Sequence, residues 1–149
     1  MLIGTFEHNM DPKGRVFVPA KWREDLADTI ILTRGMRGQG DSQCLMGMSL
    51  ESWKSFSKRF SAIPMTDLKA QNVRRMLFAN ASDCDVDKQG RILIPNMLRE
   101  HARIEREVAL IGVDDYIEIW DTEAWKEYTR QCDAGELDIG YDLLAQRGI

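Results

Sequence analysis

Histidine is nearly missing from this chain of 149 residues: only His8 and His101 occur. Neither stands in a ligand pattern such as HExxH. Cysteine is almost as scarce. Cys44, Cys84 and Cys132 are odd in number and far apart, with neither paired metal-site spacing nor a disulfide framework, which points to a reducing cytoplasm and buried structural thiols. No apolar run approaches the ~20 residues needed to cross a bilayer, so no membrane partner is expected. The opening residues Met1 to Glu7 lack the basic region and longer apolar stretch of a secretion signal. A phosphate loop, a GxSxG elbow and a dinucleotide fingerprint are all missing. The expectation is therefore no catalytic residue, no metal, no cofactor and no small-molecule substrate.

One acidic cluster invites a metal and fails. Asp83-Cys-Asp85-Val-Asp87 begins like a calcium loop, but its sixth and twelfth positions are Lys88 and Ile94, where such a loop needs Gly and Glu. Alternate Asp residues fit a solvated strand face better. The net charge of −4 argues weakly against a nucleic-acid partner, but the charge is unevenly spread. Residues 1–100 hold 15 basic and 12 acidic residues, whereas residues 101–149 hold 5 and 12. An acidic end can coexist with a locally basic face, and binding follows local potential.

What is present is a repeat. Asp11-Pro-Lys-Gly-Arg15-Val-Phe-Val-Pro19-Ala-Lys-Trp-Arg23-Glu24 returns, 76 positions later, as Asp87-Lys-Gln-Gly-Arg91-Ile-Leu-Ile-Pro95-Asn-Met-Leu-Arg99-Glu100. Two copies indicate an internal duplication. In each copy Asp can accept hydrogen bonds from the turn amides and Gly permits a positive φ, so the segment reads as a type I turn with a bulge, closing a β-hairpin. Pro19 or Pro95 then ends the strand, and short helices are expected over Lys21 to Leu26 and Met97 to Ala102.

The repeat continues at an offset of 72, because the glycine-rich segment Arg34 to Asp41 is longer than Gly112 to Asp115. That segment, with Arg34 and Arg37, reads as a mobile connection. Met48-Ser49-Leu-Glu-Ser-Trp53-Lys54 matches Trp120-Asp121-Thr-Glu-Ala-Trp125-Lys126. Ser49 and Asp121 suit helix N-caps, and Met48 with Trp53, like Trp120 with Trp125, suits a hydrophobic staple. The first of these helices places Leu50, Trp53, Phe56 and Phe60 on one apolar stripe and Lys54, Lys58 and Arg59 in water. Between the halves, Thr66-Asp67 starts a linking helix with Leu68, Val73, Met76 and Leu77 at helical spacing and Lys69, Arg74 and Arg75 solvated. Beyond Cys132 the chain reads as an acidic, weakly anchored tail with a weak helix at Leu143-Leu144.

The sharpest candidates are Arg15 and Arg91. An Asp four residues earlier can aim each guanidinium, whose planar fork suits phosphate or guanine. The same spacing also suits a plain ion pair that braces the turn and contributes little at a surface. Local chemistry leaves both readings open.

The paired Asp-x-x-x-Arg turns, with Gly before each Arg and Pro four residues after it, resemble the MraZ family of bacterial regulators, in the AbrB-like swapped-hairpin group. The start Ile3-Gly-Thr-Phe-Glu7, the Ala79-Asn-Ala-Ser82 approach and the Trp-Lys helices match as well, so the resemblance covers about residues 1–130. It implies a mainly β, α+β fold: a double-split β-barrel of two pseudo-symmetric AbrB-like modules at 5–51 and 81–124. Linking helices would occupy 52–80, and a C-terminal helix with the acidic tail 125–149. It also implies a cytoplasmic, nucleoid-associated homo-oligomeric ring that binds double-stranded DNA at direct repeats upstream of the division and cell-wall gene cluster. Arg15 and Arg91 would contact DNA, aided by Lys13 and Lys88, with Asp11, Asp87, Gly14 and Gly90 shaping the motif. Gln89 in place of Lys13, and the loss of Pro12 in the second turn, suggest copies that are similar without being equivalent. A ring would multiply weak contacts, which meets the charge objection. Two alternatives remain: an AbrB-like antitoxin, and an oligomeric scaffold that binds protein through its acidic end.

Overall fold

The strand entering the first Asp turn and the strand leaving it part company. The computed structural model describes residues 1–36 and 43–149, so Arg37 and most of the glycine-rich connection lie outside the described residues. Strand β1 (Leu2–Asn9) runs into the turn and β2 (Arg15–Phe17) runs out. β1 pairs antiparallel with β7 (Glu107–Asp114) along its whole length, from Leu2 opposite Asp114 to Asn9 opposite Glu107. β2 pairs antiparallel with β6 (Arg91–Leu93), the strand that leaves the second turn. The expected hairpins are therefore corrected: the turns form, but each outgoing strand pairs with its counterpart from the other half. Burial explains the choice. Val16 and Ile92 face each other in the ribbon and are 1% and 2% exposed, a layer that each strand completes for the other.

The remaining strands are β3 (Thr29–Arg34), β4 (Leu45–Ser49), β5 (Ser82–Asp85) and β8 (Tyr116–Asp121). With β1 and β7 they form a six-stranded sheet in the order β1-β7-β8-β4-β3-β5, antiparallel throughout. This sheet is open, with β1 and β5 at its edges. The class is α+β, as expected. The strand period of two sorts side chains between its faces. Ile30, Leu32, Leu45, Val108, Leu110, Ile117 and Ile119 point to the main core, which also holds Val16, Ile92, Trp22, Leu26 and Leu98. Met46, Ala109, Ile111 and Trp120 point the other way, beneath aromatic side chains of the long helices.

The helices repeat the duplication. A 3₁₀ turn (Ala20–Trp22) running into α1 (Arg23–Leu26) matches α4 (Asn96–His101), each following its Pro. Helices α2 (Leu50–Ser61) and α5 (Thr122–Asp133) are 12 residues each. Their caps are as expected: the Ser49 hydroxyl accepts from Ser52 N at 3.1 Å and the Asp121 carboxylate from Ala124 N at 3.2 Å. Trp120 and Trp125 meet edge-on at 5.3 Å. Asp67 caps α3 (Leu68–Ala79), and Thr33, fully buried in β3, donates to the Leu77 carbonyl at 2.5 Å. The last helix, α6 (Asp142–Gln146), buries nothing.

Three finer expectations are corrected. The α2 stripe omits Leu50, which is exposed; Trp53, Phe56, Phe60 and Phe78 form the aromatic seam between α2 and α3 instead. On α3 only Leu77 is buried; Leu68, Val73 and Met76 are exposed, because this helix meets the sheet along one edge. Cys132 is half-buried, unlike Cys44 and Cys84. Among the described residues no helix is long and apolar enough to cross a membrane.

Because β2 and β6 exchange between halves, the two halves should unfold together. Ile92→Ala removes buried methylenes from the layer that joins them and should cost about 2–5 kcal/mol. Calorimetry is expected to show one transition at lowered temperature. Two separated transitions would mean that the halves fold independently.

Candidate functional site

Both Asp turns close with the same hydrogen bonds. In the first, Gly14 N donates to Asp11 O at 2.9 Å and Asp11 N to Arg15 O at 3.0 Å; in the second, Gly90 N donates to Asp87 O at 2.9 Å and Asp87 N to Arg91 O at 2.8 Å. Gly14 and Gly90 sit at φ +94° and +81°, where a side chain would be strained. Pro12 is exposed at the first turn and has no counterpart, yet the second turn closes as well without it. The Asp side chain makes the difference to shape in both copies.

Each carboxylate is used on both oxygens. Asp11 Oδ1 accepts from the backbone N–H of Lys13 at 3.0 Å and of Arg15 at 2.8 Å, while Oδ2 accepts from Arg15 Nε at 2.5 Å. Asp87 Oδ1 accepts from Gln89 N and Arg91 N at 2.9 Å, and Oδ2 from Arg91 Nε at 3.0 Å. The backbone N–H of Arg15, followed by its guanidinium, holds the Asp11 carboxyl below the usual carboxylate range, and Arg91 does the same for Asp87. The turn Asp thus engages Nε of each arginine, and Nη1 of Arg91 lies 4.0 Å from Asp11 Oδ2.

The exchanged ribbon brings the two turns together. Arg15 lies opposite Leu93, and Phe17 lies opposite Arg91. Val16 and Ile92 face the core, so Arg15, Phe17, Arg91 and Leu93 share the outer face, with the arginines on one diagonal and the apolar residues on the other. Arg91 also reaches across to Asp11 at 4.0 Å and lies 6.0 Å from the centre of the Phe17 ring. The arginine side chains are 33% and 21% exposed. Lys13 and Lys88 are exposed in the turns, and neither makes an ion pair among the described residues.

Two further residues complete the arrangement. Val18 N donates to Gly90 O at 2.8 Å and Ile94 N to Gly14 O at 2.9 Å, so each half holds the other's turn. Arg23 packs on Gly90 and Arg99 on Gly14, so closely that an added Cβ would lie 2.3 Å from Arg23 Nη2 or 2.6 Å from Arg99 Cζ. Arg23 Nε is satisfied by the Val18 carbonyl at 3.1 Å. Both arginines recur in the repeat, which is the sequence signal for them, but nothing local showed that each would serve the opposite turn.

The other candidates lie apart from this site. Asp83 and Asp85 are exposed on β5, where Asp85 accepts from the Thr29 hydroxyl at 2.9 Å. Burial, with Glu118 adding to it, pushes the Cys44 thiol up to about 12, and burial pushes Cys84 up to about 11. Thiols held so firmly protonated are poor nucleophiles. Arg59 and Arg74 lie over Phe56 and Phe78 on the helical side of the sheet.

A folded-state carboxyl pKa below the unfolded value adds stability above the ordinary Asp pKa of about 4, and that stability disappears as pH falls through the lower folded value. Asp87→Asn keeps the shape and removes the charge. The melting-temperature gap between wild type and Asp87→Asn should therefore be constant near neutrality and close on acidification below about pH 4. A gap that persists unchanged in acid would show that charge plays no part in bracing the turn.

Comparison with known proteins identifies the family. The family profile for the MraZ protein, described as antitoxin-like, matches twice, over residues 1–76 and 77–138. The Transcriptional regulator MraZ of Caldanaerobacter subterraneus subsp. tengcongensis is 44% identical over 143 residues, covering 96% of each chain. The protein of that name from Thermoanaerobacter pseudethanolicus is also 44% identical over 96% of each chain, and that from Carboxydothermus hydrogenoformans is 40% identical over 97%. With a duplicated match along nearly its whole length and relatives this similar, the chain belongs to the MraZ family.

Proposed function

We propose that this chain is a sequence-specific DNA-binding transcriptional regulator that presents the β2–β6 ribbon to double-stranded DNA. The carrying observation is the outer face of that ribbon, where Arg15 and Arg91 stand on one diagonal, each braced by its own Asp. Relatives named as transcriptional regulators support the same reading. Arg15 and Arg91 contact DNA, Lys13 and Lys88 add phosphate contacts, and Asp11, Asp87, Gly14 and Gly90 fix the motif. The target is the set of direct repeats upstream of the bacterial division and cell-wall gene cluster, and the protein works in the cytoplasm at the nucleoid. The role is recognition rather than catalysis.

The same reading covers architecture. Modules at 5–51 and 81–124, joined by 52–80 and followed by 125–149, would form a double-split barrel in which the open sheet and the ribbon share one core. Copies of the chain would assemble into a ring with the ribbons on one face. The exposed apolar side chains of Met65, Leu68, Val73 and Met76, on α3 and just before it, support such self-association. An antitoxin function is favoured only by the family description; a partner that displaces DNA from the ribbon would distinguish it.

Anisotropy of labelled DNA from upstream of the chain's own gene tests the proposal. Arg15→Ala and Arg91→Ala should each weaken binding by about 1–3 kcal/mol per base contact. Removing a phosphate contact at Lys13 or Lys88 should flatten the log–log salt slope by about 0.9. Binding indifferent to both arginine substitutions would sink the reading, and unchanged self-assembly in the variants would place their effect on DNA.

A further inference from the structure

The ribbon exposes two apolar side chains at its most solvent-facing positions. Phe17 is 45% exposed and Leu93 is 52% exposed, although the core lies one residue away on each strand, at Val16 and Ile92. They occupy matching positions in the two repeats. A bracing role for the turn does not need them, because the turns close through Asp and Gly. A phosphate-binding role does not use them either, since an apolar side chain offers phosphate nothing.

We infer that Phe17 and Leu93 read thymine, by packing on its C5-methyl group in the major groove, beside guanines read by Arg15 and Arg91. The inference rests on the DNA-binding reading above and adds a second base to it. The commitment to DNA follows from charge: an apolar pair set on a diagonal between two arginines, with Lys13 and Lys88 at the flanking turns, suits an anionic partner. On a base edge in the major groove, the thymine methyl is the apolar group available, and that groove, about 12 Å wide, admits a two-stranded ribbon. Arg91 lies 6.0 Å from the Phe17 ring, so one ribbon position offers a fork and an apolar surface side by side. Residues i and i+2 of a strand are separated by about 6.6 Å, close to two base steps at about 3.4 Å each. Arg15 and Phe17 would thus read a guanine and a thymine about two steps apart.

The test replaces every thymine of the upstream duplex with deoxyuridine, which removes the methyl group alone. Anisotropy at fixed salt would compare the full wild-type chain with Phe17→Ala, Leu93→Ala and Phe17→Leu. Wild type should bind the uracil duplex about fourfold more weakly for each methyl contacted, the worth of one buried methylene-sized group. Phe17→Ala and Leu93→Ala should bind the thymine duplex more weakly and lose part of that discrimination, while Phe17→Leu retains it. Equal wild-type affinity for the two duplexes overturns the inference and leaves the DNA reading standing. Equal affinity together with loss of binding in Phe17→Ala overturns it in favour of a wedge between base steps. Failure of wild type to bind either duplex overturns the DNA reading itself.

Discussion

A strand of three residues such as Arg15–Phe17 buries one side chain toward the core and cannot hold a position alone. Its partner is the matching strand of the other half, so Val16 and Ile92 complete a layer that neither half could build by itself. Burying each of these side chains contributes roughly 1.5–3 kcal/mol. The exchange also explains why the backbone of each half bonds to the glycine of the opposite turn. Arg23 and Arg99 reinforce the same crossing from the helices that follow. The two turns are thereby fixed relative to one another, which independent hairpins would not achieve.

The electrostatics of the site depend on that crossing. Each Asp satisfies turn amides and engages Nε of its own Arg, so the guanidinium is oriented through that one nitrogen. Pairing β2 with β6 then sets two such groups on a single face and brings Arg91 within 4.0 Å of Asp11. The acidic overall balance is no obstacle, because the field at a ligand follows local charge. The copies are not equivalent: Lys13 has Gln89 opposite it in the repeat, with Lys88 one position earlier. Phe17 and Leu93 differ in the same way, one aromatic and one aliphatic.

Local features were legible in the sequence because they depend on neighbours along the chain. The turn chemistry of Asp11 to Arg15, the Ser49, Asp67 and Asp121 caps, and the Trp120–Trp125 staple all appear where the residues placed them. The exchange of strands was not legible in the turn residues themselves, since an Asp turn between apolar stretches looks the same whether the strands pair together or with another segment; only the resemblance to a swapped-hairpin group pointed to it. The roles of Arg23 and Arg99 were missed for that reason: their partners, Gly90 and Gly14, are 67 and 85 positions away in sequence. On α3 the apolar spacing announced a helix correctly but not which apolar residues would be covered: Leu77 is buried, while Leu68, Val73 and Met76 are exposed.

The central claim is that one exchanged ribbon, carrying both arginines, forms the binding surface. Hydrogen–deuterium exchange of the full chain, with and without the upstream duplex, measures this most directly. The account predicts that DNA slows exchange together in the two segments 11–18 and 87–94, with α2 and α3 unaffected. Slowing confined to one turn, or centred on the basic residues of α2 and α3, would contradict it.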